Sequence, residues 1–120
     1  MKLDKVDPAF SVLKDFAKAT SGSSKDIQAM REKYIYTDGV LPSKIKVMFS
    51  LLWSISEKCE PCLRYYAQKA KELGVSEDEI GEALAVASTM GGCVGEMWAL
   101  KAFEAYHNDV DQGKPSSCCP

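Results

Sequence analysis

The sequence predicts an all-α fold, a compact bundle of about six helices, on three observations. Apolar residues recur at three- and four-residue spacing along most of the chain, the period of a helix face. The stretches so marked are bounded by recognisable helix start and stop residues. No segment shows the strict alternation of a half-buried strand, and no internal repeat is evident.

Asp7-Pro8 is an N-cap followed by a first-turn proline, and Phe10, Leu13, Phe16 and Ala17 then keep helical spacing up to Ser21-Gly22. Ser23-Ser24 can cap a second helix carrying Ile27, Met30 and Tyr34, which Thr37-Asp38-Gly39 should stop. A third helix opens at Pro42. Its Ile45, Val47, Met48, Phe49, Leu51, Leu52, Trp53 and Ile55 are apolar over most of the circumference, as suits a bundle centre or a subunit interface. Pro61 is placed to open a fourth helix through Leu63, Tyr66, Ala67 and Ala70 to a stop at Leu73-Gly74. Ser76-Glu77-Asp78-Glu79 is a capping box, since a Ser hydroxyl and a Glu three residues on satisfy each other's orphan amides. The fifth helix follows with Ile80, Leu84, Ala87 and Met90. Gly91-Gly92 should break or tightly turn it, and Met97, Leu100, Phe103 and Tyr106 make a sixth.

The 120 residues suit one domain, expected over residues 1–108, with an aperiodic, polar segment at 109–120 expected to be a flexible tail. Hydrophobic residues at 46% and charged residues at 27% are the balance of a globular protein that buries a core. A formal charge of -2 offers no positive field for nucleic acid or anionic lipid, so neither is an expected partner. No signal-peptide core or apolar run of membrane-spanning length is present, and a cytoplasmic protein is expected. Five cysteines in a reducing compartment point to redox or metal chemistry before a structural disulfide framework.

Cys59-Glu60-Pro61-Cys62 is where that chemistry concentrates. A cap residue and the residue three positions on hold their side chains over one turn, within disulfide reach. Free amides and the helix dipole favour a thiolate there, and Pro61 keeps the helix from running back through Cys59. One thiol becomes reactive and the other can resolve it. Lys58 and Arg64 would strengthen the bias and Glu57 and Glu60 oppose it, while dipole reasoning leaves open which sulfur is the thiolate. Two inert helix-end cysteines, or half of a zinc site completed by Cys118 and Cys119, remain as alternatives.

The stretch from Leu41 to Tyr106 resembles the alkylhydroperoxidase D-like branch of the carboxymuconolactone decarboxylase superfamily. The features that carry the resemblance are the Leu41-Pro42-Ser43-Lys44 opening, the buried helix into Cys-x-x-Cys, the Leu73-to-Ile80 connection, the Ala-rich helix, the Gly91-Gly92 break and the last helix. It implies protomers that associate through their Cys-x-x-Cys helices into a homo-oligomer, a trimer or hexamer. It also implies a catalytic Cys62 thiolate that attacks peroxide. Cys59 would act as proton donor and resolving thiol, closing a Cys59–Cys62 disulfide that an external dithiol donor reopens. The family's relay glutamate falls on Val47, and its histidine four positions after the second cysteine on Tyr66. A tyrosine is a poor base at neutral pH, with an ordinary pKa near 10, but it can donate a hydrogen bond to sulfur, so Tyr66 takes the histidine's place. Exchange with a disulfide asks less of a relay than peroxide reduction does.

The expected function is therefore a dithiol oxidoreductase acting on a hydroperoxide or disulfide substrate, with no metal or organic cofactor. A non-enzymatic helical oligomer with a degenerate site is the competing class. Cys93 is expected to be a core cysteine beside the glycine break. Cys118-Cys119 could exchange with the Cys59–Cys62 disulfide. His107 and Glu96 are expected as solvated helix residues, Trp53 and Trp98 as core or interface, and Met48, Met90 and Met97 as core filling.

Overall fold

A computed structural model of the protein describes residues 1–108, and these are all helix, turn and connection, with no strand among them. Six α-helices run in order: α1 (Leu3–Val6), α2 (Leu13–Ala19), α3 (Ser23–Tyr34), α4 (Ser43–Ser56), α5 (Glu60–Glu72) and α6 (Glu77–His107), with a 3-10 helix at Pro8–Val12 between α1 and α2. The expected tail, with Cys118 and Cys119, lies outside the described residues.

The core is a packing of α4, α5 and the two halves of α6, which reverses at Gly92. Val47, Leu51 and Ile55 of α4 meet Leu63, Ala67 and Ala70 of α5 and Ile80, Leu84, Ala99 and Ala102 of α6. Leu51, Leu63 and Ile80 are fully buried, each contributing roughly 1.5–3 kcal/mol by leaving water. Small residues on α5 and α6 let the backbones approach. Two long-range polar contacts fasten them: Gln68 Nε2 donates to the Ala105 and Asn108 carbonyls at 2.6 and 2.7 Å, and Tyr106 donates to the Val75 carbonyl at 2.7 Å. Gln68 thus adds a donor to carbonyls at the open end of α6.

Several starts and stops fall where the sequence places them. The Asp7 carboxylate accepts from the Ala9 amide at 2.8 Å, Gly74 takes the left-handed conformation after α5 with φ 89°, and Ser76 and Glu79 form the reciprocal capping box at 3.1 and 2.8 Å. Other details differ. The first expected helix divides into the 3-10 turn and α2, because 3-10 bonding follows directly from the Asp7-Pro8 cap, and α1 precedes it. α3 is preceded by left-handed Gly22, with no side-chain cap from Ser23 or Ser24. The expected fifth and sixth helices, by contrast, are both present as two arms of α6 parted at Gly92, whose φ of 61° and ψ of -142° suit only glycine, and the chain doubles back there, so that Glu77 at one end of the span meets His107 at the other at 2.6 Å.

That kink repositions the residues around it. Cys93, expected in the core, is an exposed free thiol. Met90 and Met97 are exposed where core filling was expected, while Met48 and Trp98 are half-buried against the core. Trp53 is 71% exposed on the outer side of α4, opposite Val47 and Leu51, so it is no core residue of the single chain. In length and composition α6 could cross a membrane. Its break at Gly92 divides it into two arms, each shorter than the roughly 20 residues a span requires.

Gly95 tests the kink directly. A Cβ built there would stand 2.5 Å from the Ala87 carbonyl oxygen, whereas one at Gly91 meets nothing within 4 Å. Gly95→Ala should lower unfolding stability by about 1–3 kcal/mol. Gly91→Ala should leave it unchanged or raise it by up to about 1 kcal/mol, both read from urea midpoints. The capping box sets a pH dependence. The hydrogen bond from the Ser76 amide, followed by Lys44, holds the Glu79 carboxyl below its ordinary 4.5. A depressed folded pKa gives stability that is present above pH 4.5 and lost as pH falls through the folded value. Between pH 5 and 3 the wild type should therefore lose more stability than Glu79→Gln.

Candidate active site at the start of α5

α4 and α5 are separated only by Glu57, Lys58 and Cys59, and the backbone reverses within them. The Cys59 amide donates to Ser54 O and the Lys58 amide to Ile55 O, both at 3.0 Å, which is the paired bonding of a Schellman stop. Lys58 occupies the left-handed position that glycine usually fills, with φ 56°. Cys59 then caps α5 in its turn: its Sγ accepts from the Cys62 amide at 3.3 Å. One residue closes α4 with its N–H and opens α5 with its sulfur. Pro61, in the first turn, has no amide to leave unsatisfied.

This turn holds the two cysteine Cα atoms 5.2 Å apart, and Cys59 and Cys62 are joined as a disulfide. The amide bond falls on the Cys59 sulfur, whereas Cys62 lines the open cleft beside α5. Amide stabilisation and access thus point to different sulfurs, and a thiol that reacts with an outside substrate needs access. Charges near the pair are partly cancelled. Glu60, which would oppose a thiolate, is engaged by Lys101 at 3.2 Å and Arg64 at 3.6 Å. These are exposed pairs of small energetic worth, but they tie Arg64 to Glu60.

α5 has two faces. Leu63, Ala67, Gln68 and Ala70 enter the core, and Cys62, Tyr65, Tyr66 and Lys69, at i, i+3, i+4 and i+7, line a cleft of about 1000 Å³. The far wall is built by α2 and α3 and the 3-10 turn, with Phe10, Leu13, Ala17 and Ile27. Three phenols and a guanidinium bridge the walls. Arg31 Nε of α3 donates to the Tyr66 oxygen at 3.1 Å, and Tyr36 donates to the Tyr65 oxygen at 3.0 Å. The Arg31 guanidinium lies 5.6 Å from the Tyr65 ring centre, within cation–π range. Burial and then the Tyr65 hydrogen bond push the Tyr36 phenol well above its ordinary 10, so it stays protonated.

The carboxymuconolactone decarboxylase family pattern matches residues 23–105. The chain belongs to the carboxymuconolactone decarboxylase family. The match extends the expected Leu41–Tyr106 stretch back through α3, so Arg31 falls inside it. An uncharacterised protein of Cupriavidus necator is 29% identical over 66 residues, 55% of this chain and 58% of that protein. The chain thus spans a little over half the length of that curated relative. The crystal structure of an apo carboxymuconolactone decarboxylase family protein from Legionella pneumophila superposes with a TM-score of 0.76 at 24% identity, covering 88% of this chain and 94% of that one. The likeness is one of fold.

The sequence-expected residues divide by position. Cys59, Cys62 and Tyr66 stand within two turns of α5. Val47, where the resemblance places a relay glutamate, is fully buried in the core and carries no carboxylate. His107 sits at the far end of α6, between the Phe103 carbonyl at 2.9 Å and Glu77 at 2.6 Å. Glu96 is exposed. Arg31 was not foreseen. It is one of two arginines in the chain, and both reach the first turns of α5, but no local spacing reveals the 35-residue separation of Arg31 and Tyr66.

Lys58→Gly should relieve the left-handed strain and raise stability by about 1 kcal/mol by chemical denaturation. The Cys59–Cys62 bond should still form, as seen by the mass of the alkylated protein.

Proposed function

We propose that the protein is a cytoplasmic dithiol oxidoreductase of the alkylhydroperoxidase type, in which Cys62 attacks the substrate and Cys59 resolves. The observation that carries this reading is the sulfur pair joined across the first turn of α5, with Cys62 on the wall of an open cleft. With a disulfide substrate, the Cys62 thiolate displaces one thiolate to give a mixed disulfide. Cys59 then attacks Cys62, closing the protein disulfide and releasing the second. With a hydroperoxide, Cys62 takes the terminal oxygen as a sulfenic acid, the alcohol departs with a proton, and Cys59 displaces water. Both routes oxidise the dithiol by two electrons, and an external dithiol returns them. Tyr66 is positioned as a hydrogen-bond donor: Arg31 Nε fills its oxygen's acceptor site and leaves the phenol proton for a sulfur or oxygen anion. With no carboxylate at Val47 and no histidine at Tyr66, disulfide exchange is the favoured route.

The protein acts as a homo-oligomer, a trimer or hexamer. Phe49 and Trp53 of α4 and Met90, Val94, Met97 and Leu100 of α6 are exposed in the single chain, an apolar surface of the kind that subunits cover. The non-enzymatic oligomer is favoured by one observation, the buried Val47 at the relay position. Thiol reactivity separates the two readings. A catalyst should show rapid alkylation of Cys62 at neutral pH, and a degenerate protein a slow, ordinary thiol.

Turnover of an organic hydroperoxide and of a small disulfide with dithiothreitol should fall to the uncatalysed rate in Cys62→Ser. Equal rates for Cys62→Ser and wild type would rule the mechanism out.

A further inference from the structure

We propose that the cleft between α3 and α5 selects a small apolar acid that carries a disulfide or peroxide bond, and that Arg31 binds its carboxylate. This rests on the dithiol oxidoreductase reading and names its substrate class.

The cleft is apolar along Phe10, Leu13, Ala17 and Ile27 and cationic at its edge. Arg31 is half-buried, spends Nε on the Tyr66 oxygen and Nη1 on the Gln28 side-chain oxygen at 3.1 Å, and meets no carboxylate among the described residues. A guanidinium has five donors in a planar fork, so its Nη2 edge retains N–H groups for an anion. Lys14 and Lys25 line the same cleft. Of its acidic residues, Glu72 is engaged by the Met1 amine at 3.4 Å and by Lys69 at 3.3 Å, which leaves Glu32 against three cations. A net positive rim on an apolar wall matches an amphipathic anion, not a neutral alkyl chain.

Arg31 is anchored on Tyr66, which lies four residues beyond Cys62 on the same face of α5, so the anion site opens on the same cleft as the Cys62 sulfur. An aryl disulfide with a carboxylate on each ring has the chemistry to match, a ring for the apolar wall and an anion for the guanidinium. The reaction is then two thiolate displacements: Cys62 expels the first aryl thiolate and Cys59 the second. The protein loses two electrons and two thiol protons, and the aryl disulfide becomes two aryl thiols.

The test uses the reduced full chain with bis(3-carboxyphenyl) disulfide and its neutral diamide, following thiol release. The acid should react at least about tenfold faster than the amide. That ratio should fall towards one in Arg31→Gln and be partly kept in Arg31→Lys. A wild-type ratio near one, or a ratio unchanged in Arg31→Gln, overturns the assignment. Cys62→Ser is the separate control: if it consumes both probes as fast as wild type, the oxidoreductase reading fails. Calorimetry on the disulfide form, which needs no turnover, should still detect benzoate over benzamide in wild type. Equal affinity for the two would sink the anion site by itself.

Discussion

Glu57, Lys58 and Cys59 are all that separate α4 from α5, and two helices that must share a core can be joined so closely only if every backbone group in the reversal is satisfied. The Lys58 and Cys59 amides close α4, and the Cys59 sulfur opens α5. The core depends on this turn because it sets Leu51 of α4 against Leu63 of α5. The disulfide depends on it because it holds the Cys59 and Cys62 Cα atoms 5.2 Å apart. Strain at Lys58 is the local cost, offset by bonds at both helix ends.

From that turn the molecule divides its labour by helix face. The core side of α5 is small and apolar, with Gln68 as its single polar fastening to the end of α6. The opposite side, from Cys62 to Lys69, receives α3 through phenols and a guanidinium rather than through buried aliphatic surface. Ile27 and Met30 of α3 remain exposed. The core is thus close-packed, whereas the wall of the cleft is attached at a few polar points. That arrangement leaves space beside the Cys62 sulfur.

What was legible in the sequence was local. Asp7-Pro8, Pro61, Gly74 and the Ser76–Glu79 box announce their positions because caps and turns act over three or four residues. The cysteine spacing belongs to the same class, and the Leu41–Tyr106 resemblance identified the family that the match over residues 23–105 establishes. What was not legible depends on direction or distance. Gly91-Gly92 signalled the break that parts the two arms of α6, but the direction in which the second arm returns is set by packing, and with it the exposure of Cys93, Met90 and Met97. The apolar circumference of α4 was plain, yet only packing shows that Val47 is sealed while Trp53 faces outward. Arg31 meets Tyr66 across a fold that no window of residues spans.

Cys59 serves the backbone with its amide, which any residue but proline has, and with a cap that serine or aspartate would supply at least as well. The turn and the cap alone therefore give no protection to the sulfur atom, which only the bond to Cys62 requires. A lineage that exchanged it for oxygen would keep the turn and lose the cross-link, so sulfur held at this position through descent would record a demand for the bond itself, beyond the reversal of the chain.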